Sequence, residues 1–407
     1  MGKRGCVCRE PKPLAMETAR QEKTRTAPPI EEGRLAWLAL ALSPGLGPKR
    51  ILEAMQRLET PGEIFRLPLT ALEALRFPAE AAQFVFDGKA RATAEAEWAQ
   101  VAAQDATVVS FGCAEYPERL KEIYDPPPVL WVRGNVHLLS RPSIAVVGTR
   151  HPSPYGTGMA EMLSRDLAAR RLLIVSGMAR GVDSCAHRGA LAARMPTLAV
   201  WGTGIDVVYP KENKKLAEEI LAAGGAIVSE LPMGTFPAPQ NFPRRNRILS
   251  GLSVAVLVVE AGENSGTRVT ARCAEEQNRD VFAVPGNVTN RNSWTPNTLI
   301  KQGAKLVATW EDVWEELPSQ VRLELEAETG SASKAEAPTS LLADPVLRPQ
   351  EAMVLEVLRK DESLQIDDLF EMLEAQLTSS EVFTALLELE MTGRVRSLPG
   401  KNYVRTM

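Results

Sequence analysis

The chain has little of what most active sites are built from: three His and five Cys in 407 residues. The cysteines are odd in number and scattered. Cys6 and Cys8 lie far from other ligands, so the spacing of a zinc site is missing and no metal is expected. Free thiols in a reducing cytosol are the simplest account. No uninterrupted apolar run approaches membrane-spanning length, so no membrane partner is expected. The first residues, MGKRGCVCREPKP, lack the apolar core of a secretory signal. Cys6 also stands where a myristoylation site has Ser or Thr. A cytoplasmic location is the expectation. Basic charge is not in excess either. The net charge is -4, which excludes a protein coated in positive surface. What is present is a large apolar fraction, 44%, against 24% charged residues. A packed core follows, and the length suggests two or three domains.

Charge is unevenly placed. From Arg141 to Trp310 there are 20 Lys+Arg against 13 Asp+Glu, a local +7. From Glu311 to Pro345 there are 2 against 9, a local -7. A basic central block can hold a polyanion despite the overall sign. The centre of that block is Asn241 to Thr267, NFPRRNRILSGLSVAVLVVEAGENSGT. Arg244, Arg245 and Arg247 stand beside Asn246 and Phe242 in what reads as a cationic loop. Val254 to Val259 then reads as a strand buried on both faces. Ser265-Gly266-Thr267 follows as a glycine turn opening a helix. Guanidiniums suit a phosphate chain, and backbone N–H groups at such a turn suit an anion. A solvated basic loop is the competing reading.

Other strands flank this one. Ile144–Val147, Leu172–Val175, Thr197–Val200, Ala226–Val228, Val281–Val284 and Leu306–Ala308 each end in small or polar residues and alternate with helical stretches. This predicts an α/β fold with a doubly wound, mostly parallel, Rossmann-like sheet. Ligands bind at strand C-terminal ends in such sheets. Arg150, Arg180, Lys211, Arg244, Arg245 and Arg247 all lie there. Gly177, Gly204 and Gly266 would let a backbone approach, and Phe242 offers a stacking face. Upstream, Tyr116-Pro117 and Asp125-Pro126-Pro127-Pro128 lead into Val129–Val132, read as an edge strand.

NFPRRNRILSGLS, VVEA and SGT closely resemble the DNA-processing protein DprA (Smf) family. YPERLKEIYDPPPVLWVRGN, GTR, SGMARG and YPK extend the resemblance over roughly Leu120 to Trp310. It implies a pocket for single-stranded DNA built from Arg150, Ser176, Gly177, Arg180, Lys211, Phe242, Arg244, Arg245, Asn246, Arg247, Ser265, Gly266 and Thr267. It further implies reception of incoming strands in natural transformation and loading of the RecA recombinase over single-strand-binding protein. A homodimer and no cofactor are also implied. The family's usual Gly before Pro-Asn is Thr295 here, in Trp294-Thr295-Pro296-Asn297.

Two enzyme readings compete. A nicotinamide dehydrogenase needs G-x-G-x-x-G after the first strand. GTRHPSPYG puts Arg150 where the second glycine admits the pyrophosphate. A lysine-decarboxylase-like phosphoribohydrolase needs a catalytic Glu three residues after its Thr, and Thr270 stands there. Glu260 is then either a base or the carboxylate that orders the arginine loop. Asp183, Ser184 and His187 crowd one helical turn, where a triad would need separate loops. Asp183 reads as a helix cap, and His187 as a group packed beneath the loop. No catalytic residue is expected.

The ends complete a five-part division. Residues 1–30 read as a disordered leader, with Met16 as an alternative start. Residues 31–104 read as a helical, SAM-like unit. In it Pro44-Gly45-Leu46-Gly47-Pro48-Lys49-Arg50 is either a helix–hairpin–helix turn facing phosphate or an ordinary turn. Residues 105–317 form the core, and 318–347 an acidic, Ser/Ala-rich linker. Residues 348–407 carry three helical patterns and a hairpin turning at Pro399-Gly400, the order of a winged helix. Its third helix, SSEVFTALLELEMTG, has three glutamates and no base. That face would repel phosphate and suits protein contact or a weakly binding wing.

Overall fold

The computed structural model describes residues 31–332, 348–359, 363–373, 376–391, 394–398 and 400–405. The leader lies outside the described residues, as do Pro399 and the second half of the expected linker, 333–347.

Five α-helices come first among the described residues: α1 (Glu32–Ala41), α2 (Pro48–Met55), α3 (Leu69–Ala74), α4 (Ala79–Phe86) and α5 (Lys89–Ala103). Gly45 supplies a left-handed residue (φ 67°) between α1 and α2, which a side chain would resist. Lys49 of that turn reaches Tyr124, Nζ to hydroxyl 3.3 Å.

The core follows as β1 (Ala106–Ser110), α6 (Glu118–Lys121), β2 (Val129–Gly134), β3 (Ser143–Val147), α7 (Pro154–Ala169), β4 (Leu173–Ser176), α8 (Val182–Ala192), β5 (Thr197–Val200), α9 (Lys214–Ala222) and β6 (Ala226–Ser229). Then come α10 (Asn241–Leu252), β7 (Ala255–Val258), α11 (Thr267–Glu276), β8 (Asp280–Ala283), α12 (Trp294–Lys301), β9 (Lys305–Leu306), α13 (Trp310–Glu316) and α14 (Ser319–Ala332). The sheet order is β1-β2-β6-β5-β4-β3-β7-β8-β9. β3 through β9 pair in parallel, and β1 and β2 add antiparallel. The doubly wound, mostly parallel sheet is as the sequence predicts.

Two expectations fail here. β2 is not an edge: it pairs β1 on one side and β6 on the other. Its prolines all precede Val129, so every N–H within VLWVRG can enter a ladder. β1 is the true edge, hidden behind an Ala-rich helix. The expected linker begins as α14, with Val321 and Leu325 buried beside α7 and β7 side chains.

Side-chain alternation sorts the layers. Ala145, Val147, Val175 and Val200 face α10, α11 and α12 through Ile248, Leu249, Ala271 and Leu299. Ile144, Val146 and Ile174 face α7 and α8. At the β6-β2-β1 end of that second face, Trp131, Ala199 and Ile227 pack with Leu216 of α9 and with Trp37 and Leu38 of α1. The opening helices therefore share one apolar cluster with the sheet. The tail forms α15 (Pro349–Val357), β10 (Leu364–Gln365), α16 (Ile366–Leu373), α17 (Ser379–Met391), β11 (Val395–Leu398) and β12 (Asn402–Arg405), a winged helix around Val354, Leu369, Leu386 and Val395.

Candidate functional site

Three segments meet beyond the C-terminal ends of β3, β4 and β5. The loop after β3 carries Arg150, exposed, with its guanidinium 5.9 Å over the Phe242 ring. Phe242 comes from the first turn of α10, and its ring centroid lies 5.6 Å from that of Tyr209. Gly202 lets the ring lie on the chain after β5, because a Cβ there would sit 3.0 Å from Phe242 Cδ1. Lys211 is exposed two residues beyond Tyr209, and Arg244 is exposed two residues beyond Phe242. Arg180 is exposed too, but its Nε donates to Glu212. That pair cancels part of its charge. A cation–aromatic cluster of this kind attracts a phosphate chain and offers flat faces to bases.

The arginine segment is not a loop. It is α10, whose first turn holds Pro243 where a backbone N–H would be unpaired anyway. The helix aims its three arginines apart. Arg244 faces solvent, while Arg245 and Arg247 are 6% and 8% exposed. Arg245 crosses to the strand ends: Nη1 donates to Gly177 O at 2.6 Å and also to Val200 O. Its Nε donates to Asn246 Oδ1 at 3.2 Å. Arg247 donates from Nη2 to Glu230, and its Nε is 3.2 Å from Asp125 Oδ2. These two guanidiniums stitch α10 to β4, β5 and β6, and neither is presented to a ligand. Burial pushes the Glu230 carboxyl up from its ordinary range, and the adjacent Arg247 holds it back down.

The glycines follow suit. A Cβ on Gly177 would meet the Arg245 guanidinium at 2.4 Å, so Gly177 makes room for Arg245. At Gly204 a Cβ would meet Asp206 Oδ1 and Pro232 O at 2.7 Å. Of these three, Gly266 alone is open, with nothing within 4 Å. Ser176 is fully buried, and its hydroxyl donates to Val146 O at 2.6 Å.

Asp183 does not cap its own helix. Its Oδ2 accepts from Gly177 N (3.1 Å) and Ala179 N (3.2 Å), fixing the loop before α8. Burial raises its pKa, and Arg245 opposes that rise; the same burial lowers Arg245. Ser184 donates to Ala179 O at 2.7 Å. His187 is fully buried, with Nδ1 2.8 Å from Thr197 Oγ1. Burial, then Arg245, pushes its pKa down to about 3. Asp183 and Ser184 are thus both tied to Ala179 in the loop before α8, and His187 to Thr197; these hydrogen bonds join no two of the three to each other.

Strand order reverses at β3, so the β3/β7 crevice is the position where this fold class holds nucleotides. Glu260 fills it. Its side chain accepts from Ser153 N at 2.8 Å and Ser153 Oγ at 2.6 Å, at the start of α7. Asn292 Nδ2 is 3.5 Å away. Glu260 therefore orders the α7 start and not the arginines; Glu230 takes the latter part. Beside the crevice, Ser265 Oγ accepts from Thr267 N at 3.2 Å and donates to Thr267 Oγ1 at 3.0 Å. Asn246 Nδ2 donates to Gly266 O at 3.4 Å. Thr295 is well used: its hydroxyl donates to Gly262 O at 2.7 Å and its N–H to Ala261 O at 3.0 Å. Among the described residues no group of three or more His, Cys, Asp or Glu is placed to hold a metal ion.

The predicted residues thus divide. Arg150 and Phe242 meet on the rim beside Tyr209. Lys211 and Arg244 are exposed on the segments that carry Tyr209 and Phe242, and Arg180 is exposed in its ion pair with Glu212. Ser176, Gly177, Arg245, Asn246 and Arg247 lie beneath it, and Ser265, Gly266 and Thr267 form the turn at α11. Tyr209 was missed as a partner of Phe242. Its signal was an aromatic two residues from Lys211 just past a strand.

The model of the DNA recombination-mediator protein A family matches residues 107–318. That of the DprA winged helix domain matches residues 335–401. Protein Smf of Escherichia coli (strain K12) is 41% identical over 292 residues, 71% of this chain and 75% of that protein. DNA processing protein DprA of Streptococcus pneumoniae is 44% identical over 198 residues, 49% of this chain and 70% of that protein. The solved structure of DNA processing protein A from Streptococcus pneumoniae covers 71% of this chain and 99% of its own, with a TM-score of 0.62 and 36% identity.

Proposed function

This chain belongs to the DNA recombination-mediator protein A family, and from that premise we propose that it binds single-stranded DNA, regardless of sequence, along the rim above β3, β4 and β5. The observation that carries the reading is the Arg150–Phe242–Tyr209 cluster, flanked by Lys211 and Arg244. Phosphates meet the cations, and bases stack on the rings. No element of the rim offers a ladder of base-reading side chains, so binding is indifferent to sequence. The names of the relatives, DNA processing proteins, point the same way.

The role proposed with it is to receive and shield incoming strands in the cytosol and to pass them to a RecA-type recombinase over single-strand-binding protein, as a homodimer and without catalysis. This part rests on the family resemblance. Support for a purely binding role comes from Glu260. A carboxylate set in the switch-point crevice repels a nucleotide phosphate, and its hydrogen bonds to Ser153 engage both oxygens. Among the described residues no helix is long and apolar enough to cross a membrane.

The test is fluorescence anisotropy of labelled oligo-dT across a salt series. Arg150→Ala, Lys211→Ala and Arg244→Ala should each flatten the log–log slope by about 0.7, the value of one phosphate on a single strand. A wild-type protein that ignores oligo-dT and instead releases base from nucleoside monophosphates would establish the phosphoribohydrolase reading.

A further inference from the structure

A third aromatic stands near this rim, and nothing above gives it a task. Phe236 is 78% exposed, in the segment 231–240 that runs from β6 to α10. An exposed ring on a slack loop would mean little, but this segment is held on both sides of the ring. Met233 N donates to Glu97 Oε1 at 2.7 Å, and Gly234 N donates to Asp206 at 2.8 Å. Thr235 O accepts from Gly204 N at 2.9 Å, and Thr235 Oγ1 donates to Pro232 O at 2.7 Å. Beyond the ring, Asn241 Nδ2 reaches Phe236 O at 3.5 Å, and Asn241 N donates to Ala238 O at 3.0 Å. Pro237 and Pro239 stiffen what remains. Glu97 is itself buried and anchored, accepting from Trp131 Nε1 at 2.9 Å. The backbone under Phe236 is thus fixed in advance to α5, β2 and the loop after β5. The strap ends at Asn241, immediately before Phe242 and the rim.

We infer that Phe236 is a further stacking platform, taking a base of the single strand beyond the one on Phe242. The inference rests on the single-strand reading of the rim. A ring presented on a pre-ordered backbone loses little entropy when a base settles on it, and any base will serve because each has a flat face. Phe236 carries no charge, so its contribution is separable from that of the arginines.

The experiment uses the full chain and two variants, Phe236→Ala and Phe236→Tyr, with labelled oligo-dT and an abasic oligonucleotide of equal length. The expected result is a loss of roughly tenfold in dT affinity for Phe236→Ala, near-complete retention for Phe236→Tyr, and an unchanged salt slope. On the abasic strand Phe236→Ala and wild type should agree. Equal dT affinity of Phe236→Ala and wild type overturns the inference and leaves the rim reading standing. Equal losses on both strands overturn it also, since no base is then being stacked. A change in sedimentation state with unchanged dT affinity assigns the ring to contact between copies and overturns it too. If wild type binds neither strand, the rim reading fails first and this inference with it.

Discussion

Arg244 and Arg247 lie three residues apart on one helix, and the structure gives them opposite work. Arg244→Ala removes an exposed side chain whose charge also helps hold down the pKa of buried Glu230, behind Arg247. Its effect on stability should stay within about 0.5 kcal/mol. Its effect on DNA should be one phosphate: over a fourfold rise in salt the variant loses roughly two- to threefold less affinity than wild type. Arg247→Ala instead strips the partner from Glu230, in a pair whose side chains are only 10% and 5% exposed. Stranding a buried carboxylate costs about 3–5 kcal/mol. The second contact, to the 43%-exposed Asp125, adds little. For a core of this size the thermal midpoint should fall on the order of 10 °C. Circular-dichroism melts beside oligo-dT salt titrations separate the two. An Arg247→Ala protein that melts like wild type yet shows a flattened slope would refute this division and restore Arg247 to the phosphate track.

Three further outcomes follow from the same geometry. His187, neutral when buried with its pKa near 3, gains a proton on unfolding below pH 6.5. This group should therefore remove about 1.4 kcal/mol of stability per pH unit as pH falls from 6.5 toward 3, and none above 6.5. Urea titrations at pH 7 and pH 5 should show a smaller difference for His187→Gln than for wild type. Gly177→Ala drives a methyl into the Arg245 guanidinium and should destabilise by about 1–3 kcal/mol, whereas Gly266→Ala, in open space, should melt close to wild type. On α17, where Phe383 and Leu387 are exposed among glutamates, the double change to Ala should leave oligo-dT affinity unchanged, as measured by anisotropy.

β3, β4, β5, β6 and β7 were legible because each is a short apolar run buried along its whole length, whereas β9 is two exposed residues. β1 was not legible, since ATVVS follows fifteen helical residues with only Gln104-Asp105, and neither Gly nor Pro, between them. The winged helix was readable from three amphipathic segments and a hairpin. The site was only half legible. Motif and charge brought the arginines to the right end of the sheet, but whether each one faces solvent depends on partners far along the chain. Arg245 answers to carbonyls 68 and 45 residues away, and Arg247 to Glu230 and Asp125. A run of basic residues announces charge in either case. The glycine at 177 misled for the same reason: its vacancy serves an internal guanidinium.

The claim underlying all of this is that a single strand lies across the Phe242 ring, with its phosphates toward Arg150 and Arg244. Photo-crosslinking of the full protein to an iododeoxyuridine oligonucleotide, followed by peptide mapping, reads that placement directly. The account predicts adducts on Phe242 and Tyr209, lost in Phe242→Leu. Adducts confined to α17 and the β11–β12 wing, with none on the rim, would contradict it.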